Sequence, residues 1–387
     1  MGYFDFAVNR RGLFRRLAGF LAASPLLASQ QDPFRDHSRI PALGEMRNAF
    51  DFEPVAHAKI LRQAYDYMSY GAEGEFTLRR NREAFDWVRM IPRRLGEASP
   101  VDTASNLLGT NLAFPMLIAP TASHGLFNTE AEAATHAGAT AASNTPMIVS
   151  NVSTMPVEKI AAAASGPWWF QLYPRQTPDY NRQTLEKAQA AGCKAVVVTV
   201  DQQASAFERA MHDRRLTNPA SPARVPANPY RVPDNRLWYE WSLFDELRPI
   251  VKVPLVAKGI VTAEDARLCL EHGIDAVYVS NHGGRSLDYE PATLEVLPEI
   301  ADAVGSRVPI LFDSGIRRGS DILRALALGA SAVGLGRVPL WGLAAYGAQG
   351  VQKVLEILQA ELVQAMTSAG RPTLRSIDRS LVRTEFL

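Results

Sequence analysis

Eight short apolar segments, each running into polar or glycine residues, constrain the fold of this chain more than any other feature. They lie at 116–122, 147–151, 168–173, 195–201, 254–259, the start of 276–288, 309–315 and 332–337. Alanine-rich stretches of helical character separate most of them, at 130–143, 157–164, 181–191, 262–272 and 319–328. This alternation predicts βαβ units and a parallel sheet. Eight such units predict an α/β fold of the (β/α)8 TIM-barrel class, whose active face lies at the carboxyl ends of the strands.

The length and composition of the chain agree with this fold. Because 387 residues exceed one barrel, we expect an N-terminal helical extension at 31–100 and a barrel with a C-terminal helical tail at 101–387. A hydrophobic share of 47% predicts a large core, and a net charge of +1 argues against nucleic acid as a partner. Cys193 and Cys269 form neither a redox pair nor a metal-ligand motif, so we expect buried, inert thiols and no metal site.

The first thirty residues have the features of an export signal. Paired arginines in Asn9-Arg10-Arg11-Gly12-Leu13-Phe14-Arg15-Arg16 precede an uncharged run at 17–29 that is too short for an ordinary membrane span. The paired arginines resemble a twin-arginine signal, which predicts a periplasmic protein. The alternatives are an amphipathic N-terminal helix on a cytoplasmic protein, or a signal retained as an anchor.

The segment 276–288 combines groups suited to chemistry on a carboxylic acid. The apolar residues 276–279 lead directly into Ser280-Asn281-His282-Gly283-Gly284-Arg285. An imidazole takes up a proton near neutral pH, and a guanidinium offers a fixed fork of donors to a carboxylate or phosphate. The alternative for this segment alone is a structural histidine and a surface arginine on a glycine-rich loop.

The ends of the last two predicted strands indicate a phosphate site. The seventh strand ends in Asp313-Ser314-Gly315-Ile316-Arg317-Arg318-Gly319 and the eighth in Gly334-Leu335-Gly336-Arg337. Barrels commonly bind phosphate between these two loops, where glycines allow close backbone approach. No dinucleotide fingerprint follows the first strand, which argues against a Rossmann nicotinamide site.

Seven segments in the same order give the chain a resemblance to a known family. They are Tyr65-Asp66-Tyr67 with Gly71-Ala72-Glu73; Pro120-Thr121-Ala122; Gln171-Leu172-Tyr173; Thr199-Val200-Asp201; Lys258-Gly259; Ser280 to Arg285; and Asp313 to Gly319. From about residue 56 to about residue 380, the chain resembles the FMN-dependent α-hydroxy acid oxidases and dehydrogenases. That family includes glycolate oxidase, lactate oxidase and mandelate dehydrogenase.

The resemblance implies FMN as the cofactor and assigns residues to its parts. Backbone groups of Pro120, Thr121 and Ala122 would line the flavin ring, and Lys258 would stabilise negative charge on the reduced ring. The polar edge of the ring and the ribityl phosphate would contact Ser150, Gln171, Thr199, Ser280, Asp313, Gly315, Arg317, Gly336 and Arg337. For Lys258 the alternative is an exposed lysine at a strand end.

The resemblance also implies the residues that handle a 2-hydroxy acid. His282 would be the base, with Asp201 orienting its ring, and Arg285 would bind the substrate carboxylate. Tyr67 and Tyr173 would bond the carboxylate or hydroxyl, although Tyr67 also fits a core position on a helix. The expected reaction is oxidation to the 2-keto acid, with hydroxyl deprotonation and hydride transfer to flavin N5, or alternatively through a carbanion.

The chain departs from the family pattern around the predicted lid. Arg209 is the only plausible second substrate arginine after Asp201, and it stands one residue later than the family pattern places it. The predicted lid, 216–241, is short and proline-rich and carries Tyr230, Trp238, Tyr239 and Trp241. These aromatics, with Asn151 and Val152 in place of bulkier residues, suggest a larger or aromatic substrate side chain. Packing within the lid is the alternative explanation of the aromatics.

Two further functions and several partners stay open at this stage. The chain would otherwise be a different phosphate-binding barrel or flavin oxidoreductase, or a non-catalytic flavin-binding relative. The electron acceptor is expected to be oxygen, a quinone or a cytochrome. Family members often form homotetramers or homo-octamers, which the alanine-rich outer helices would permit.

Overall fold

The computed structural model describes residues 40–95, 99–202 and 239–386. Its described residues from Leu43 onward belong to one compact unit. The predicted export signal at 1–30, Arg209, Tyr230 and Trp238 lie outside the described residues. Within the described ranges, no helix has the length and apolar character needed to cross a membrane.

A helical segment precedes the barrel. Its helices are α1 (Phe52–Lys59), α2 (Arg62–Ser69) and α3 (Phe76–Glu83), with short 3-10 turns at Leu43–Glu45, Ala49–Asp51 and Ala84–Trp87. Three short strands follow, β1 (Val88–Met90), β2 (Ser105–Leu107) and β3 (Thr110–Leu112). The strands β2 and β3 form an antiparallel hairpin. This segment supplies both ends of the barrel with side chains.

Eight parallel strands close into a barrel, which confirms the predicted fold class. They are β4 (Met116–Thr121), β5 (Met147–Ser150), β6 (Trp168–Leu172), β7 (Val196–Thr199), β8 (Leu255–Ile260), β9 (Ala276–Val279), β10 (Ile310–Phe312) and β11 (Ala332–Leu335). The strand β11 pairs with β4 and closes the ring. Each strand coincides with one of the eight apolar segments of the sequence, and only β8 extends past its segment, by one residue.

Helices surround the barrel between these strands. They are α4 (Ala131–Ala141), α5 (Val157–Ala163), α6 (Pro178–Ala190), α7 (Ser242–Leu247), α8 (Ala263–Glu271), α9 (Thr293–Val304), α10 (Gly319–Ala327) and α11 (Arg337–Ala369). Short 3-10 turns lie at His124–Leu126, Leu374–Ser376 and Arg379–Leu381, and β12 (Val382–Thr384) pairs with β1. All five helical stretches predicted from the sequence form helices at nearly the expected positions.

The barrel interior is filled by a layer of apolar side chains, one from each strand. This layer consists of Leu117, Ile148, Trp169, Val197, Val256, Tyr278, Leu311 and Ala332. Successive side chains of a strand point to opposite faces, so the residue two positions further also points inward, nearer the carboxyl end. Those residues are Ala119, Ser150, Gln171, Thr199, Lys258, Ser280, Asp313 and Gly334. Strand alternation alone therefore places a largely polar ring on top of an apolar core.

The hairpin of β2 and β3 covers the amino-terminal end of the barrel. Leu107 and Leu112 join the interior cluster, and Trp169 Nε1 donates a hydrogen bond to Thr110 Oγ1 at 3.1 Å. With this end covered and the middle filled, the polar ring at the carboxyl end is left as the functional face.

Both cysteines are buried and reduced, as expected from the sequence. Cys193 follows α6 and Cys269 lies in α8, and burial raises the pKa of each thiol to about 12. A thiol that stays protonated at neutral pH is a poor nucleophile. Neither residue therefore contributes chemistry.

Candidate active site

A cavity of about 370 Å³ opens at the carboxyl end of the barrel. Its floor is the polar ring, and its walls are the loops that follow the strands together with α2. The lining residues used below are Tyr67, Tyr70, Thr121, Phe127, Val152, Tyr173, Gln202, Tyr239, Lys258, His282, Arg285, Asp313, Gly315, Arg317, Gly336 and Arg337. Residues at the carboxyl ends of several strands therefore line one cavity.

His282 lies between a carboxylate and a phenol. Its Nδ1 is 2.8 Å from Asp201 Oδ1, and its Nε2 is 3.2 Å from Tyr173 Oη. Burial opposes ionisation of Asp201, but His282 and Lys258 together lower the pKa of this carboxyl. Burial and the charge of Asp201 raise the pKa of Tyr173 well above its ordinary value, so the phenol stays neutral. With Asp201 accepting from Nδ1, the Nε2 atom on the cavity side is left as the base.

The backbone after β9 is held in an uncommon conformation that presents the imidazole. His282, Gly283 and Gly284 all have positive φ angles, of 58°, 67° and 75°. Ser280 Oγ accepts from the His282 amide at 3.1 Å, and Ser314 Oγ accepts from the Gly283 amide at 3.1 Å. A Cβ on Gly284 would stand 2.6 Å from the Leu78 amide nitrogen of α3. Positive φ in a non-glycine residue persists where the surrounding contacts require it, often at functional sites.

Arg285 is fixed against α2 and the loop that follows it. Its guanidinium donates to the Tyr67 carbonyl at 2.7 Å and to the Tyr70 hydroxyl at 3.0 Å. The same group lies 4.1 Å from the centre of the Tyr70 ring and 5.1 Å from that of Tyr67. These contacts place an oriented cation on the cavity wall, where it can bind a carboxylate.

Lys258 is buried at the floor of the cavity with one carboxylate. Its Nζ donates to Ser280 Oγ at 2.8 Å and lies 3.6 Å from Asp313 Oδ2, while Ser280 Oγ donates to Asp313 Oδ1 at 2.7 Å. The lysine side chain is 3% exposed, which excludes the alternative of an exposed lysine at a strand end. Buried charges persist when they are paired and hydrogen-bonded in this way.

Two buried polar atoms of the ring have no partner within the described residues, and they fit the polar edge of a flavin. They are Gln171 Nε2 and Thr199 Oγ1. Buried polar groups are almost always hydrogen-bonded, so unpaired ones next to a cavity indicate a ligand. The neighbouring Gln171 Oε1 already accepts from Ser150 Oγ at 3.0 Å, which turns the amide nitrogen away from Ser150.

The far end of the cavity fits a phosphate. Burial lowers the pKa of Arg317 to about 10, and burial with the charges of Arg285 and Arg317 lowers that of Arg337 to about 9. The charge of Arg337, disfavoured by burial and by two neighbouring guanidinium groups, would be stabilised by an anion. Gly336 has no neighbouring atom within 4 Å of the place where a Cβ would stand, and the long helix α11 starts at the next residue. This is the phosphate geometry expected between the last two strands of a barrel.

The structure brings most of the predicted site residues to one place. Predicted residues on the cavity surface are Tyr67, Pro120, Thr121, Ala122, Tyr173, Lys258, His282, Arg285, Asp313, Gly315, Arg317, Gly336 and Arg337. Ser150, Gln171, Thr199, Asp201 and Ser280 lie behind that surface, each joined to it by a hydrogen bond or by its position in the polar ring. Tyr67 is half-buried and lines the cavity, and its ring stacks on that of Phe127 with 6.5 Å between ring centres. It therefore combines a place in the site with a packing contact.

Sequence reasoning missed Tyr70, Gln202 and Phe127, which also line the cavity. No local motif signals them, because their roles arise from the approach of α2 and of the loops that follow β4 and β7. Gly334, part of the predicted phosphate motif, has an additional role that strand alternation identifies, because its position faces the interior of the barrel. A Cβ there would stand 1.8 Å from Tyr278 Oη, so a glycine is needed.

The two described lid aromatics behave differently. Tyr239 lines the cavity, and its hydroxyl donates to the Pro174 carbonyl at 3.4 Å. Trp241 instead packs against Phe244 and stacks on His272, with ring centres 5.9 Å and 5.6 Å apart. Trp241 therefore packs against its neighbours, as the alternative explanation has it, whereas Tyr239 stands on the cavity wall.

Comparison with known proteins identifies the family. A family model described as "FMN-dependent dehydrogenase" matches residues 56–384. The chain is 38% identical over 358 residues to a peroxisomal (S)-2-hydroxyacid oxidase of Arabidopsis thaliana, covering 89% of this chain and 98% of that protein. It is also 38% identical to an L-lactate oxidase of Nostoc sp., covering 88% and 99% of the two chains.

Solved structures agree with the sequence relatives. The fold superposes on a crystal structure of mandelate oxidase with (S)-2-phenylpropionate, with a TM-score of 0.80 and 34% identity over 88% of this chain and 99% of that one. The family model names the cofactor, the relatives' names give the reaction class, and the lining of the cavity fits both. The chain belongs to the FMN-dependent α-hydroxy acid oxidase and dehydrogenase family, and it is an enzyme that oxidises 2-hydroxy acids to 2-keto acids with FMN.

Proposed function

We propose that Arg285 binds the substrate carboxylate and that His282 Nε2 removes the proton of the 2-hydroxyl group. The observation that carries this proposal is that both groups face one cavity whose floor holds Lys258. The hydroxyl of Tyr173, 3.2 Å from His282 Nε2, provides a further donor to the substrate oxygen.

The charges around the cavity set the direction of the proton transfer. Asp201 stabilises the imidazolium that forms when His282 accepts the proton, and Lys258 stabilises negative charge that develops at the floor. Bound FMN supplies the two-electron acceptor, held by the polar ring and by Arg317 and Arg337. We favour hydroxyl deprotonation with hydride transfer over a carbanion, because removing a proton from carbon beside a carboxylate is hard for an imidazole.

We further propose a substrate with a side chain larger than that of glycolate. Val152 lines the cavity and is 48% exposed, so the cavity has open space next to this residue. Phe127 and Tyr239 add apolar and aromatic surface to the same cavity. The relatives carry the names glycolate oxidase, L-lactate oxidase and mandelate oxidase, which brackets the range of side chains to be tried.

The direct test is anaerobic reduction of the FMN-loaded enzyme, followed by loss of its visible absorbance. We expect mandelate or lactate to bleach the flavin faster than glycolate, measured as the ratio of reduction rate to dissociation constant. In Arg285→Met, this ratio should fall at least roughly thirtyfold, since a charged hydrogen-bond pair contributes about 2 kcal/mol or more. Normal reduction of Arg285→Met would contradict the assignment of the carboxylate site.

For the oxidative half of the cycle, we propose oxygen, a quinone or a cytochrome as the acceptor. Several relatives are named oxidases, which favours oxygen, whereas export would favour a quinone or cytochrome. Reoxidation rates of the substrate-reduced enzyme with each acceptor, measured by stopped flow, decide among them.

We also propose twin-arginine export and assembly into homotetramers or homo-octamers. The paired residues Arg10 and Arg11 support export, and the alanine-rich outer helices support assembly. Cell fractionation of the full chain and of an Arg10→Lys/Arg11→Lys variant tests the first proposal, since the variant should stay in the cytoplasm. Light scattering of the purified holoenzyme tests the second.

A further inference from the structure

A buried carboxyl group that the mechanism does not use joins two loops at the carboxyl end of the barrel. Glu132 lies in the first turn of α4, and its side chain is fully buried. Its Oε1 accepts from the His124 amide at 3.0 Å and from the Thr154 amide at 2.8 Å, and its Oε2 accepts from the Met155 amide at 3.3 Å. Buried polar groups need such partners, and these three donors are all backbone amides of the two loops.

The two loops follow neighbouring strands of the barrel. One leads from β4 into α4 and the other from β5 into α5, and the two strands pair directly. Further hydrogen bonds cross between the loops. The Ser123 amide donates to the Val152 carbonyl at 3.1 Å, and the Gly125 amide donates to Thr154 Oγ1 at 2.9 Å. We call this set of hydrogen bonds, together with those accepted by Glu132, the Glu132 bridge.

Each loop of the Glu132 bridge adjoins a residue that lines the cavity. In the first loop, Thr121 lines the cavity, and its Oγ1 is 2.7 Å from Nε2 of the buried His124. The other ring nitrogen of His124 is 2.8 Å from Thr135 Oγ1, which belongs to α4. In the second loop, Val152 lines the cavity, and its amide donates to Ser150 Oγ at 3.1 Å. The helix α4 therefore holds both sides of the cavity wall through Glu132 and His124.

We propose that Glu132 is a positioning residue for substrate specificity, because the bridge sets the distance between the cavity wall at Thr121 and the wall at Val152. This inference rests on the proposed function, which places the substrate side chain next to Val152. A large side chain has to fit against that wall, whereas glycolate has only a hydrogen atom at the same position. Since a misplacement of about 1 Å can lower a rate about a hundredfold, loosening the bridge should affect large 2-hydroxy acids most. Glu132 itself does not touch the substrate.

Glu132→Gln is the informative variant, because it keeps the size of the side chain. The amide oxygen of glutamine can still accept from the His124 and Thr154 amides. Its amide nitrogen, which is a donor, then faces the Met155 amide, which is also a donor. The bridge should therefore loosen without leaving a cavity. The matched control is Glu130→Gln, which removes an exposed carboxylate just before α4.

The first readout is the ratio of kcat/KM for mandelate to kcat/KM for glycolate. In Glu132→Gln, the value for mandelate should fall about tenfold, mainly through a higher KM, while the value for glycolate changes less than about twofold. Glu130→Gln should keep the wild-type ratio. In a Val152→Ala background, Glu132→Gln should change the ratio much less, because the side chain through which the bridge acts has been removed.

The second readout needs no substrate and separates positioning from a general loss of stability. Amide hydrogen exchange of the FMN-loaded enzyme should be faster in Glu132→Gln in both loops, at 122–126 and 151–155. It should be unchanged in the loop after β9. A generally destabilised fold would instead exchange faster throughout the chain.

A lowered ratio with faster exchange confined to the two loops supports the proposal. An unchanged ratio in Glu132→Gln, or exchange that is not faster in both loops, overturns it. If Val152→Trp changes the ratio and Glu132→Gln does not, only this proposal fails; if neither changes it, the placement of the substrate side chain fails as well. If Glu132→Gln does not fold, Thr154→Val decides in its place, since it removes only the bond from the Gly125 amide. That variant should lower the ratio by a smaller factor, and an unchanged ratio would overturn the proposal.

Discussion

His282 Nδ1 and Asp201 Oδ1 lie 2.8 Å apart, although 81 positions separate the two residues along the chain. Asp201 follows β7 and His282 follows β9, so the contact spans the carboxyl end of the barrel across β8. The closed parallel sheet creates this pair, because all the strands deliver their carboxyl ends to one face.

We expect His282→Ala to retain FMN and to lose catalysis. A positioned base contributes roughly 10²–10⁴ in rate, so the anaerobic reduction rate should fall by about that factor. The protein should remain yellow, because the polar ring and the two phosphate-site arginines are untouched. His272→Gln is the control, since His272 pairs with Asp245 at the surface, away from the cavity. A near-normal reduction rate in His282→Ala would refute the assignment of the base.

Strand ends are the part of the site that the sequence predicts well. Lys258 lies near the carboxyl end of β8, and Ser280 and Asp313 directly follow β9 and β10. The two-residue alternation of a strand fixes which way each of these side chains points. The same rule, applied to every strand, identifies Gly334 as well. Prediction succeeds here because the geometry is local.

Contacts between distant segments are the part that the sequence does not predict. Tyr70 reaches Arg285 because the end of α2 packs against the loop after β9, and no spacing in the sequence encodes that approach. The positive φ angle of His282 is likewise not predictable from the sequence. The two glycines that follow indicate a turn, but they do not show that the histidine also adopts a left-handed conformation.

We expect Arg317→Met to weaken FMN binding but not riboflavin binding. The guanidinium lies 4.7 Å from the centre of the Trp341 ring, and an apolar methionine can keep that packing. Loss of one charged contact to phosphate should raise the dissociation constant of FMN about thirtyfold, equivalent to about 2 kcal/mol. Titration of the apoprotein with each flavin, followed by flavin fluorescence, measures both constants. Equal weakening for both flavins would indicate a damaged fold instead of a lost phosphate contact.

We expect Asn81→Leu to lower the free energy of unfolding and to loosen the loop after β9, which carries His282. Asn81 and Asn281 exchange two hydrogen bonds, each amide nitrogen lying 2.9 Å from the other side-chain oxygen. The buried Asn281 side chain would keep its bonds to the Pro291 carbonyl and the Gly284 amide but lose both bonds to Asn81, which should cost about 1–3 kcal/mol of unfolding free energy. Because Asn281 precedes His282, kcat should fall more than KM rises. Urea unfolding and steady-state kinetics measure the two effects. Loss of stability with unchanged kcat would show that the hydrogen bonds between Asn81 and Asn281 do not position the loop after β9.

We expect Val152→Trp to change the substrate range. A tryptophan at this exposed wall position should occupy the space next to the bound substrate, so kcat/KM for mandelate should fall at least tenfold, or about 1.4 kcal/mol, while that for glycolate changes little. Val152→Ile is the control, since one added methylene should have a small effect. A parallel fall for both acids would place the substrate side chain elsewhere in the cavity.

We expect Glu290→Gln to stabilise the folded protein at alkaline pH, for a reason independent of catalysis. The pKa of Glu290 is about 7 in the folded protein, against about 4.3 for an unfolded glutamate. Between these values the native state binds more protons than the unfolded state, so the unfolding free energy contributed by this residue falls as the pH rises. The contribution is present at acid pH and lost above neutrality. Its size is of the order of 2 kcal/mol, because solvent screening of this partly exposed carboxyl reduces the effect of the raised pKa. Relative to wild type, Glu290→Gln should therefore gain stability as the pH increases, whereas Glu299→Gln should not. Urea unfolding of the holoenzymes on both sides of neutrality measures the difference, and a pH-independent difference would show that the carboxyl of Glu290 is solvated like that of an unfolded chain.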